Sequence, residues 1–142
     1  MISGDISIRY VAYADYQIAR DCCRIACEFL RAGDAFEHTI PYDVNVLRRP
    51  MFIAERQNGY VAGFILAKLV DKNAAEILSL YVRGNMHRMG IGTQLLTGME
   101  NYLRGCGIRK IDLVSRPMAV NFYNARGYIQ HCSDKSFLQK SI

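Results

Sequence analysis

Between Val82 and a helical segment stands His87-Arg88-Met89-Gly90-Ile91-Gly92-Thr93, and its residue types suit the binding of an anion. A helix start leaves several backbone N–H groups without an internal acceptor, and the helix dipole puts partial positive charge there. Glycines at Gly90 and Gly92 would let a ligand reach those amides. The two common nucleotide motifs are absent. No G-x-x-x-x-G-K-S/T run exists, and Leu95 stands where a dinucleotide fingerprint has its third glycine. A glycine pair before a helix is also the mark of a plain tight turn, so the residues alone leave both readings open. The cysteines, Cys22, Cys23, Cys27, Cys106 and Cys132, form no C-x-x-C pair and have no His and acid placed beside them. They read as small apolar residues, reduced, with neither a zinc site nor a thiol nucleophile indicated.

The elements that would position this loop read as one continuous α/β alternation without internal repeat, linker or low-complexity stretch. Ile6 to Val11 has strand composition, and Asp15 opens a helix through about Leu30, with Ile18, Cys22, Ile25 and Phe29 at helical spacing. Gly33 ends it, and a short helix is expected around Tyr42 to Leu47. Met51 to Glu55, the Asn58-Gly59 turn and Tyr60 to Leu69 read as a hairpin. Ala74 to Val82 follows as a strand with little alternation, as for one covered on both faces. Ile91, Leu95, Leu96, Met99, Tyr102 and Leu103 mark one helix face, stopped by Gly105 and Gly107. Ile108 to Val114 is the next strand, Pro117 opens a second helix to about Arg126, and Gly127 releases the chain into a last strand. Two strand-helix units in succession require parallel strands with right-handed crossovers beside the antiparallel hairpin. A mixed sheet is predicted.

With 142 residues, 51% of them apolar and 22% charged, the chain has the length and composition of one globular domain, which excludes a multidomain machine. The longest apolar run, Tyr60 to Ala67, falls short of the ~20 residues a membrane helix needs. With no signal-peptide pattern at the N-terminus, the expectation is a cytoplasmic protein without a membrane partner. The net charge of +5 is localised. Arg83 to Gly127 carries seven basic residues against Glu100 and Asp112, while the rest of the chain is balanced. Such an excess suits nucleic acid or a polyphosphate ligand, and equally a solvated basic face.

Several of these features together resemble the GNAT superfamily of acyl-CoA-dependent N-acyltransferases. The resemblance is carried by Leu80-Tyr81-Val82, the loop ending Gly90-Ile91-Gly92, the helix from Thr93 to Leu103, and Phe122-Tyr123-Asn124-Ala125-Arg126-Gly127-Tyr128. It is densest from Ala75 to Tyr128. The loop pattern is Gln/Arg-x-x-Gly-x-Gly/Ala. Here His87 takes the first position with Arg88 after it, and Gly84 replaces a frequent proline. The second pattern, F-Y-x-x-x-G-F/Y, is met by Phe122, Tyr123, Gly127 and Tyr128, with Ala119 at its small position. The resemblance implies a single N-acetyltransferase domain over residues 1–142. Its fold would be α/β, a mixed, mainly antiparallel sheet of six to seven strands with parallel strands at the cofactor cleft, flanked by about four helices.

The same resemblance implies acetyl-CoA as acyl donor, with no metal. Its diphosphate would lie on the loop from His87 through Arg88, Met89, Gly90, Ile91 and Gly92 to Thr93, and its peptide-like arm along the backbone of Leu80, Tyr81 and Val82. Arg116 stands where relatives often carry a coenzyme-contacting Asn; it would serve a phosphate or face solvent. Tyr123 would protonate the departing thiolate, a phenol of reference pKa near ~10 matched to a thiol near ~8.5. Glu76, a carboxylate on an apolar strand eleven residues before His87, is the first candidate base, or else faces solvent. His87, Glu37 and His38 are weaker candidates. The expected reaction is direct transfer of acetyl to a primary amine of a small molecule or protein, by a protein that could form a homodimer. A longer acyl group, or a non-catalytic module binding coenzyme A or nucleic acid, are the alternatives. The absence of aromatic and basic residues interleaved on an exposed strand argues against nucleic acid.

Overall fold

The computed structural model describes residues 6–11, 18, 21, 22, 25, 49–84 and 89–142. Seven strands form one sheet: β1 (Ile6–Val11), β2 (Met51–Arg56), β3 (Val61–Leu69), β4 (Ala74–Val82), β5 (Lys110–Val114), β6 (Ile129–Gln130) and β7 (Phe137–Ser141). Their order is β1-β2-β3-β4-β5-β7-β6, and every neighbouring pair is antiparallel except β4 with β5. The mixed, mainly antiparallel sheet expected from the sequence is thus present, with its parallel pair.

Helix α1 (Ile91–Gly105) makes the crossover from β4 to β5 and buries Ile91, Leu95, Leu96, Met99 and Leu103. These pack on a cluster that includes Ala75, Ile77, Ile111, Leu113 and Leu138 from the sheet. The helix ends in a paired-carbonyl cap. Gly107, at φ +89°, donates its N–H to Arg104 O, and Ile108 donates to Leu103 O, while both Leu103 and Ile108 are buried. On the opposite face Val11, Cys22, Ile25, Met51, Ile53, Val61, Phe64 and Leu66 make a second cluster. Ile18, Asp21, Cys22 and Ile25 are helical, as expected for that segment; its boundaries, and the short helix expected at Tyr42 to Leu47, lie outside the described residues.

Four expectations need correction. Apart from the helical residues around Cys22, the described residues hold two α-helices, not about four. The segment expected to be one helix from Pro117 to Arg126 divides into a 3-10 turn (Pro117–Ala119) and the short helix α2 (Val120–Asn124). The single last strand is a hairpin, and β7 lies between β5 and β6, so β6 runs parallel to β5 without pairing with it. Phe137–Ser141 has too few apolar residues to announce itself. Finally, Cys22 is buried as a small apolar residue, but Cys106, at the solvent end of α1, and Cys132, beyond β6, are exposed thiols. Among the described residues no helix is long and apolar enough to cross a membrane.

One irregularity in β4 shapes everything near the site. Ala67 pairs with Ile77 but Leu66 pairs with Ser79, so Leu78 is an extra residue with no partner in β3. A bulge of this kind bends its strand and increases its twist. On the other edge of β4, pairing with β5 runs from Ala74 with Lys110 to Ile77 with Leu113 and then stops, although β4 continues to Val82. The two parallel strands therefore splay at the bulge.

Candidate active site

The splay opens a cleft enclosing about 410 Å³, which includes solvent at its mouth. Its walls are β4 from Ile77 to Tyr81, the end of β5 with Ser115 and Arg116, and Ala119 and Tyr123 from the following turn and helix. Backbone parity decides which groups of β4 face it. Arg83 donates its N–H to Ala62 O at 2.8 Å, so Arg83 is a hydrogen-bonded partner of β3. Counting back by alternation, Tyr81 and Ser79 also turn their polar groups to β3, while Leu80 and Val82 turn theirs to the edge that β5 has left.

Gly63 allows β3 and β4 to lie this close. A Cβ built on it would meet Tyr81 O at 2.6 Å. Gly90, at φ +77°, is the residue before the first turn of α1 and offers no side-chain cap, and the first turn contains no acid. Gln94 N–H takes the first internal bond, to Gly90 O at 3.0 Å. The N–H groups of Ile91, Gly92 and Thr93 have no protein acceptor among the described residues. This end of the helix adjoins the cleft, since a Cβ at Gly92 would lie 3.4 Å from Phe122 Cζ and 3.8 Å from Val82 Cγ2. The uncapped amides thus lie beside Val82 and Phe122, the chain neighbours of Tyr81 and Tyr123, which line the cleft.

Tyr123 is 8% exposed and lines the cleft, its ring edge-on to Phe122 at 5.2 Å and to Tyr128 at 5.7 Å. Burial, with the neighbouring Tyr81 adding to it, pushes the Tyr123 phenol above its ordinary range. The group therefore stays protonated through neutral pH and is a donor, not a base. Beneath it Tyr128 is fully buried and donates its hydroxyl to Glu100 Oε2 at 2.8 Å, and Lys140 Nζ reaches the same carboxylate at 3.1 Å. That contact joins α1, β7 and the residue that follows Gly127.

Of the residues picked out in the sequence, Leu80, Tyr81, Arg116 and Tyr123 come together in the cleft, and Gly90, Ile91, Gly92 and Thr93 form the helix start beside it. Met89 is half-buried against the main core. Arg116, half-buried with extended backbone before Pro117, lines the cleft instead of facing solvent alone. Glu76 stands one residue short of the lining, half-buried on β4, paired with Lys68 on one side and Asp112 on the other. His87, Arg88, Glu37 and His38 lie outside the described residues. Sequence reasoning missed the buried hydroxyls of Ser79 and Ser115. Ser79 interrupts the apolar run Ile77-Leu78-Ser79-Leu80, which was its only signal.

Comparison with known proteins agrees with this geometry. An uncharacterized N-acetyltransferase of Methanocaldococcus jannaschii is 35% identical over 81 residues, 54% of this chain and 51% of the relative, so the match spans about half of that protein's length. An acetyltransferase of the GNAT family from Staphylococcus aureus superposes with a TM-score of 0.79 at 14% identity, covering 95% of this chain and 99% of that one. The PaiA N-acetyltransferase of Thermoplasma acidophilum, solved in complex with coenzyme A, gives 0.75 at 20% identity over 96% of this chain and 99% of its own. These two share the fold. The sequence profile described as Acetyltransferase (GNAT) family matches residues 16–128, and the chain belongs to that family.

Proposed function

We propose that the protein transfers an acetyl group from acetyl-CoA to a primary amine. The observation that carries this reading is the coincidence of the β4–β5 splay with the uncapped amino end of α1. An extended, peptide-like arm can hydrogen-bond to the open strand edge at Leu80, and a diphosphate can accept from the N–H groups of Ile91, Gly92 and Thr93. A relative of the same fold holds coenzyme A. Bound there, acetyl-CoA supplies an activated thioester carbonyl and a sulfur leaving group.

This chain's residues then have separable tasks. The Leu80 N–H points to the edge where the thioester oxygen would gain charge, and stabilises it. Tyr123 keeps its proton at Oη and gives it to the departing sulfur. Glu76, on the same strand just before the cleft, takes a proton from the substrate ammonium through water, and the neutral amine so freed attacks the thioester carbonyl, forming the C–N bond as the C–S bond breaks. Binding both reactants in one cleft removes the need for a bimolecular encounter.

The test is thermal melting with coenzyme A, followed by free-thiol release from acetyl-CoA with a panel of polyamines, aminoglycosides and peptides with free amino ends. Stabilisation and amine-dependent thiol release support the reading. No shift at millimolar coenzyme A overturns it. Parallel assays with longer acyl-CoA donors decide the acyl preference.

A further inference from the structure

We propose that Arg126 is a phosphate ligand of the bound coenzyme, held by the fold against the amino end of α1; the proposal rests on the cofactor reading above. Arg126 lies just after α2, and three contacts fix its guanidinium. Nε donates to Thr93 Oγ1 at 2.9 Å, Nη1 donates to Phe122 O at 2.8 Å, and the group lies over the Phe122 ring at 4.0 Å. Thr93 is the third residue of α1, and Phe122 is the ring that Gly92 faces. The arginine is therefore locked beside the same turn whose amides have no protein acceptor.

Electrostatics makes this placement informative. The amino end of a helix is its positive pole, which favours an anion and disfavours a cation. The first turn of α1 contains no acid, and among the described residues no carboxylate forms an ion pair with Arg126. An arginine serving structure alone belongs at the other pole, where Arg104 stands in the last turn of the same helix. Here a fixed cation and a partial positive pole are held together with nothing between them to compensate. Of the five N–H donors of a guanidinium, two are used by the protein, which leaves Nη2 to meet phosphate oxygens in forked geometry. Diphosphate is the chemistry that satisfies the amides and the guanidinium at once.

The experiment uses the full chain with Arg126→Gln, which removes the charge, and Arg126→Lys, which keeps it. Coenzyme A, inorganic pyrophosphate and acetyl-pantetheine, a donor without the diphosphate, are the probes. Arg126→Gln is expected to weaken coenzyme A about tenfold or more, the loss of a charge-assisted hydrogen bond, and to reduce the salt dependence of binding. Arg126→Lys should retain most of the affinity, and kcat/KM with acetyl-pantetheine should be the same in all three proteins. Equal coenzyme A affinity in wild type and Arg126→Gln overturns the proposal, as does a parallel loss with acetyl-pantetheine, which would mark a packing role. If wild type binds pyrophosphate through Arg126 but does not bind coenzyme A, the arginine site stands and the cofactor reading falls.

Discussion

Tyr123 is one side chain with two neighbours that decide its chemistry. Burial between Phe122 and Tyr128 removes the water that would stabilise a phenolate, and Tyr81 opposes the same charge. Tyr123→Phe should therefore lower kcat about hundredfold while leaving coenzyme A affinity within about twofold, as measured by thiol release and titration. A donor with a more acidic thiol should recover part of the loss; no recovery would count against proton donation. For Glu76, the Gln variant should lower kcat at least about tenfold with coenzyme A affinity unchanged, and an unaltered kcat removes that base. The tyrosine was legible because it lies in a seven-residue pattern. Arg126 was not, because a sequence shows charge without showing the pole against which the fold sets it.

The elements were legible where local rules act alone. The bounds of β1 and β4 match the sequence reading, and β2 and β3 form the expected hairpin, though its turn centres on Gln57 and Asn58, one residue early, with Gly59 at φ +86° closing it. Strand, loop and helix order was enough to place β4 parallel to β5. What the order could not show was β7 inserting beside β5, since Phe137 to Ser141 owes its place to partners, not to its own composition. Two glycines separate the local from the tertiary cause. Gly90→Ala meets nothing within 4 Å, so its penalty is the left-handed backbone alone, about 1 kcal/mol. Gly63→Ala pushes on the Tyr81 carbonyl and should cost about 1–3 kcal/mol and also weaken coenzyme A, because it displaces a wall of the cleft. Denaturant melts and ligand titration on both variants test the contrast.

At the scale of the whole molecule, buried phenols set a pH limit. Burial leads the causes that raise Tyr123 and Tyr128 above the ordinary range, and the Glu100 carboxylate adds to the effect at Tyr128. In the unfolded chain they lose protons near pH ~10, while in the folded chain they keep them. The stability they contribute is thus fully present below that pH and is lost as pH rises through it. Melting temperature should fall steadily above about pH 10, and a flat profile to pH 11 would contradict this assignment. The larger lesson of the molecule lies in Leu78. Ile77 shares the α1 side of the sheet with Leu80 and Val82, at odd spacing, because the unpaired residue between them exchanges the parity of all that follows. Deleting that one codon would restore even alternation, with Leu80 still opposite Ile65 on the helix side, and would remove the bend at which β4 leaves β5, letting the gap zip shut. Such a chain would keep nearly every atom of its hydrophobic interior and lose its doorway, so the capacity to work on a substrate resides in a single counting error.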